Sequence, residues 1–170
     1  MKTFVAAALA VTVLSVPAFA EEDAVLLDYA ETENWSISID PSLNNGCLMY
    51  SEFEDGSVVR IGIDMTTGFG YVLSANAAWG DIVEGQSYPV TMSLDDQTFN
   101  GEAVGYPIDG LPGANIDFDN PDFLAMLVEA ENLTLSHDGA EVMSLDISGS
   151  AEAVKTLIEC QDKQNSASAG

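Results

Sequence analysis

From residue 47 to residue 94, apolar and polar side chains alternate in four short runs, with turn residues between them. A period of two belongs to a pleated strand, since a helix repeats roughly every 3.6 residues. The run 47–53 stops at Glu54-Asp55-Gly56-Ser57. Asp-Gly is a strong hairpin signal because glycine accepts positive φ without a Cβ clash. In 58–64, Val59, Ile61 and Ile63 alternate with Arg60, Gly62 and Asp64. Thr66-Thr67-Gly68 makes the next turn, and Tyr71, Leu73 and Ala75 alternate after it. In 88–94, Tyr88, Val90, Met92 and Leu94 share one face, opposite Pro89, Thr91 and Ser93. One apolar and one polar face imply an antiparallel sheet with one wet side. Pro89 has no amide donor, so this run is expected to be an edge strand or to start there.

The remaining segments extend the pattern. Residues 21–33 are acidic with a small apolar cluster and read as a loose segment or a short helix. Trp35, Ile37 and Ile39 alternate into a first strand, and 98–106 is another, with Phe99, Gly101, Ala103 and Gly105 on one face. Such small residues suggest a bulge or a close backbone approach. Residues 107–115 (PIDGLPGAN) read as a loop. Asn120 fits a helix N-cap and Pro121 the first helical position, which predicts a short amphipathic helix over 121–131. Leu133 and Leu135, then Met143, Leu145 and Ile147, give two last strands about His137-Asp138-Gly139. A final helix carries Ala153, Leu157 and Cys160 on one side, widened by Val154 and Ile158. The expected fold is mainly β: an antiparallel sandwich or partly closed barrel of about eight strands, with two short helices, one of them C-terminal. Residues 21–163 form a single domain in this reading, and 164–170 a disordered tail.

The first twenty residues have the layout of a secretory signal peptide. Lys2 precedes an apolar stretch from Phe4 to Val16, and Ala18-Phe19-Ala20 is a small-x-small cleavage site before Glu21. No later segment is apolar enough to span a membrane. Export places the protein in the periplasm or outside the cell. The whole chain carries 28 acids against 4 basic residues, for a net charge of −24. Cleavage removes Lys2 and no acid, leaving −25. Arg60, Lys155 and Lys163 are then the basic residues, so nucleic acid and anionic membrane surfaces are poor partners and no nucleic acid is expected. Cys47 and Cys160 both lie in the exported part, and an even count in an oxidising compartment favours one disulfide between them. Pairing requires the last helix to pack beside the strand that Cys47 begins.

No catalytic constellation stands out. The single histidine, His137, precedes an Asp-Gly turn and reads as a solvent-exposed turn residue. No Gly-x-Ser-x-Gly elbow accompanies it. Asp117, Asp119 and Asp122 offer hard oxygens for calcium, but an EF-hand loop from Asp117 fails because Pro121 and Val128 occupy ligand positions. A helix cap explains the same acids. There is no C-x-x-C pair, and His and Cys are too few for zinc, so no cofactor is expected. Trp79, beside Gly80 in a connection, is the aromatic residue best placed to touch a ligand.

Leu145-Asp146-Ile147 followed by Gly149-Ser150-Ala151-Glu152-Ala153-Val154 resembles the C-terminal Leu-x-Ile/Leu-x-Gly-Phe/Ser-x-x-Ala-Leu segment of the invasion-associated locus B proteins. Those are exported β-rich proteins of alphaproteobacteria, and the strand opening at Trp35 is similar to theirs as well. The whole pattern also looks like that of uncharacterised periplasmic proteins from the same class. Val154 stands where leucine is usual, Ser150 where phenylalanine is common, and the family's extra cysteines are missing. The resemblance implies an exported, non-enzymatic β protein and carries over no functional residue. The expected function is therefore a binding or interaction protein of the bacterial envelope, with an unidentified protein or envelope ligand as partner. A hydrolase acting through carboxylates, or a self-associating structural protein, is the alternative.

Overall fold

The turn residues close hairpins where the alternation stops. Asp138 and Gly139 both take positive φ, 51° and 77°, as a tight two-residue hairpin requires. The computed structural model describes residues 25–168 except Asp81, Asp109 and Pro121. Within it ten strands form one antiparallel sheet. They are β1 (Leu27–Glu31), β2 (Ser36–Asp40), β3 (Gly46–Glu52), β4 (Val58–Asp64), β5 (Phe69–Ala75), β6 (Ser87–Leu94), β7 (Gln97–Gly105), β8 (Gly113–Phe118), β9 (Asn132–His137) and β10 (Ala140–Asp146). The spatial order is β1-β2-β3-β4-β5-β8-β7-β6-β9-β10, and β1 and β10 do not pair, so the sheet curls without closing. Two helices complete the fold, α1 (Phe123–Glu129) and α2 (Ser150–Ser168). The mainly β, sandwich-like class read from the sequence holds, with ten strands in place of about eight. The signal peptide lies outside the described residues.

One face of the curled sheet carries the main core. Ile37, Met49, Ile61 and Val72 from the first half meet Met92, Leu135 and Leu145 from the second, and the helices add Phe123, Leu127 and Leu157. The opposite face is not uniformly wet. Leu48, Val58, Tyr71, Leu73 and Ala75 form a second apolar cluster beneath Ile108 of the β7–β8 connection. Residues 71–75 are therefore buried on both sides. A strand covered on both faces loses its polar alternation, and Val72 and Leu73 point into different cores.

Pro89 does not mark a sheet edge. β6 pairs with both β7 and β9. Its ladder to β9 begins at Val90, opposite His137, so the missing amide of Pro89 falls just beyond the paired residues. The 21–33 segment contributes β1 rather than a loose stretch or helix. The last three residues of the stretch expected as a loop, 113–115, begin β8, which lies between β5 and β7.

The chain leaves β5 and crosses the ends of β8 and β7 to begin β6. This crossover, residues 76–86, includes a short 3-10 turn at Ala77–Trp79. It is pinned to the sheet by hydrogen bonds from Gly85 N–H to the Gly105 carbonyl and from Gly105 N–H to the Gln86 carbonyl, both 2.8 Å. A Cβ on Gly105 would run into the Val83 carbonyl. The close approach expected among the small residues of this strand is therefore real at Gly105. Gly105→Ala is expected to cost about 1–3 kcal/mol, because backbone meets backbone and neither can give. Gly101→Ala on the same strand, with nothing within 4 Å of its Cβ position, is expected to be near neutral. Urea midpoints of the two variants at unchanged slope check this.

α1 starts at Phe123, with Asp122 as N-cap and the Asn120 side chain accepting from Asp122 N–H at 3.0 Å. Asn120 thus holds the preceding turn rather than the cap, and Pro121 is outside the described residues. α2 buries Ala153, Val154, Leu157, Cys160 and Gln161, while Ile158 is 43% exposed. Cys47 and Cys160 sit at disulfide distance, with Cα atoms 6.1 Å apart, joining β3 to α2. Beside them the buried Gln161 accepts from Cys47 N–H through Oε1 at 2.8 Å. α2 continues to Ser168, so residues 164–168 are helical where a disordered tail was expected. Gln161 donates to Asn165 one turn on at 3.2 Å, and the Ser166 and Ser168 hydroxyls bond back to carbonyls of the preceding turn. Among the described residues no helix is long and apolar enough to cross a membrane.

Candidate functional site

Three concave regions are candidate sites, and the two tryptophans divide the larger two. The first is an open cleft between the β1–β2 connection, the end of β3 and the end of β10. Trp35, the residues that follow β3, and the end of β10 surround about 740 Å³. Trp35 meets Phe53 edge-on, with ring centroids 5.9 Å apart. Four acids line this cleft: Glu52, Glu54, Asp55 and Asp146. Three of them have structural partners. Glu52 accepts from the Tyr50 hydroxyl. Asp55 accepts from Ser57 N–H and Oγ–H at 2.9 and 2.8 Å. Asp146 accepts from Ser148 N–H at 2.9 Å.

A general acid needs a carboxyl held above its ordinary range. The carboxyl shifts resolved among the described residues go the other way. Hydrogen bonds from Ser148 lower Asp146, and those from Glu131 and Asn132 lower Asp95. At Asp64 burial pushes upward, but the bonds from Thr66 and Thr67 together outweigh it. Asp55 and Asp146 therefore hold turns at this cleft, and hydrogen bonding keeps Asp146 below its ordinary range.

The second region is a hollow of about 240 Å³ on the outer face. Arg60 lines it, stacked over the Tyr50 ring at 5.7 Å, together with Asp40, Asp64 and Asp117. Burial, with Asp40 second, pushes the Tyr71 hydroxyl well above its ordinary range. Asp117 accepts from Asn115 Nδ2 at 2.7 Å. Asp119 and Asp122 lie beyond β8, both exposed. The described residues contain no group of three His, Cys, Asp or Glu side chains placed to share a metal ion. The calcium option at Asp117, Asp119 and Asp122 thus finds no assembled site, and a guanidinium shares Asp117's hollow.

The third region is an apolar pocket of about 350 Å³ beneath the crossover. Its floor is the inner face of the sheet: Val90 of β6, Ala103 of β7, Ala114 of β8 and Leu135 of β9. The two alanines create the space, because neighbouring strands place short side chains where larger ones would fill the core. Trp79 and Ile82 of the crossover form the roof, and Tyr88 and His137 complete the rim. The Trp79 indole is half-buried, and its Nε1 donates to the Val142 carbonyl at 3.2 Å. Val142 sits where the β9–β10 register slips between Glu141 and Met143. A bulge of this kind commonly re-aims groups beside a site. The Tyr88 hydroxyl accepts from Val83 N–H at 2.8 Å, which ties the crossover to β6.

His137 is the last residue of β9 and is 36% exposed in its side chain. Its Nδ1 lies 2.7 Å from the Pro89 carbonyl, its ring meets Tyr88 edge-on at 5.8 Å, and its Nε2 lies 3.5 Å from Asp138. It is a rim residue of a pocket rather than a free turn histidine. Its polar neighbours are a backbone carbonyl and a surface carboxylate rather than a serine or cysteine side chain. Trp79, singled out from its place beside a glycine, lines this pocket. His137, Ala103 and Ala114 were missed as partners. The sequence signal was the run of small residues in 99–105, which marks close packing but not a hollow.

The fold around this pocket is a curled, all-antiparallel sheet with a C-terminal helix packed across its first strands. The solved structure of invasion associated protein B from Bartonella henselae shares it, with a TM-score of 0.55 over 78% of this chain and 97% of that one. The two are 16% identical, so the likeness is one of fold. No protein-family model matches the chain, and no curated protein sequence matches it.

Proposed function

We propose that this chain is an exported, non-catalytic binding protein of the bacterial envelope, and that it binds through the Trp79 pocket. The observation that carries the reading is the pocket itself: about 350 Å³, walled by alanines and aliphatic side chains, with aromatic rings at its rim. That size and lining suit a small-molecule or side-chain site. The signal-like residues 1–20 and the cysteine pair at disulfide distance support export. The shared fold and the resemblance of residues 145–154 support kinship with the invasion-associated locus B proteins. The carboxylate hydrolase is the weaker reading, because three of the four acids in the open cleft are held by turn or strand partners.

The test is a titration of the purified mature protein with N-phenyl-1-naphthylamine, a neutral apolar dye that brightens when it leaves water. Saturable binding is expected. Ala103→Leu, which fills the floor, and Ala78→Trp, which blocks the exposed rim, should each abolish it while circular dichroism stays native. Unsaturable binding by the wild type, or native-like binding by both variants, would end the reading.

A further inference from the structure

We infer that the group received by this pocket is an uncharged hydrocarbon ring system or chain end, and that the pocket refuses an anion of the same shape. The inference rests on the proposed binding role and names its ligand class. No Lys or Arg lines the pocket. Three of the polar ring atoms at the rim already have partners within the protein. Trp79 Nε1 is committed to the Val142 carbonyl, His137 Nδ1 to the Pro89 carbonyl, and the Tyr88 oxygen to Val83 N–H. The Tyr88 hydroxyl proton and His137 Nε2, which lies 3.5 Å from Asp138, remain, and both can meet a neutral polar group. A full negative charge entering here would lose its hydration and meet no lysine or arginine.

The surroundings act in the same direction. Asp138, 80% exposed in its side chain, stands beside His137 at the rim. The basic residues are placed elsewhere: Arg60 in the outer hollow, Lys163 on Tyr29, and Lys155 on α2. With 28 acids in the chain, the field at the mouth repels anions before they reach the pocket. The volume admits a compact ring system or the end of a chain, not a whole lipid. The polar part of a larger ligand would stay in water.

A matched pair of dyes tests this. 8-Anilinonaphthalene-1-sulfonate has the skeleton of N-phenyl-1-naphthylamine plus one sulfonate. The wild type should bind the neutral dye on the order of tenfold more tightly or better. Added salt should narrow that gap without closing it, because screening removes the long-range field and not the desolvation. Energy transfer from the protein to the bound neutral dye should fall in Trp79→Phe, which keeps an apolar ring in place. Asp138→Asn, which tolerates the positive φ, should strengthen sulfonate binding several-fold and leave the neutral dye unchanged. Equal or tighter binding of the sulfonate by the wild type would overturn the inference while leaving the pocket reading intact. Failure of the neutral dye to bind saturably, or its native-like binding to Ala103→Leu, would overturn both.

Discussion

Cys47→Ala and Cys160→Ala should each destabilise the protein by roughly 4 to 5 kcal/mol, and the double variant should lose little more than either single one. The two residues are 113 positions apart, so a bond between them closes most of the domain into one loop and removes much of the unfolded chain's freedom. Both side chains are fully buried, which makes each alanine exchange a small packing loss by comparison. Gln161, one residue beyond Cys160, keeps its hydrogen bond to the Cys47 amide in either variant, so the helix has a fixed place to dock without the bond. Urea denaturation of the three variants separates the cases. Additive losses, or two thiols titrated in the unreduced denatured wild type, would show that β3 and α2 are not joined.

The second large effect concerns the same helix without its sulfur. Leu157 has no exposed surface and lies on the α2 face that meets Leu127 of α1 and the inner sheet. Leu157→Ala should cost about 2–5 kcal/mol, the transfer loss plus the cavity left behind. Ile158, one position on and 43% exposed, should cost less than about 1 kcal/mol when cut to alanine, because most of what it loses already faces water. Equal losses at 157 and 158 would mean that α2 is rotated from the face described.

Why the two positions differ was only half legible in the sequence. The spacing of Ala153, Leu157 and Cys160 marks a buried stripe, and Val154 belongs to it. Ile158 was read into the same stripe, yet it is 43% exposed and lies at the margin of the face that packs on α1 and the first strands. The hairpin strands were readable because their alternation is clean and their turns contain glycine. β8 was not, because Gly113-Ala114-Asn115-Ile116 follows two prolines and has only small and polar residues about its one aliphatic side chain. β1 was hidden by acids that an edge strand tolerates on its wet side. The burial of Tyr71 and Leu73 on the second face depends on Ile108, a loop residue thirty-odd positions away. Local alternation carries no trace of such long-range cover.

The pocket shows the same division. Trp79 was marked by its place in a connection, and it is the roof. Its floor comes from four strands whose neighbours are set by the return of β7 and β8 between β5 and β6, an order no single segment encodes. His137 was read from its own turn alone; pairing with Val90 brings it against Pro89 and Tyr88.

Each of the two larger concave regions holds one of the chain's two tryptophans, Trp35 in the acidic cleft and Trp79 over the apolar pocket. Two indole N–H resonances therefore report separately on the two candidate sites. In a nitrogen-15 correlation spectrum of the mature protein titrated with N-phenyl-1-naphthylamine, the Trp79 indole signal should move and saturate, with the backbone amides of Tyr88 and His137, while the Trp35 signal stays in place. Movement of the Trp35 signal with Trp79 unchanged would put binding in the acidic cleft and contradict the account.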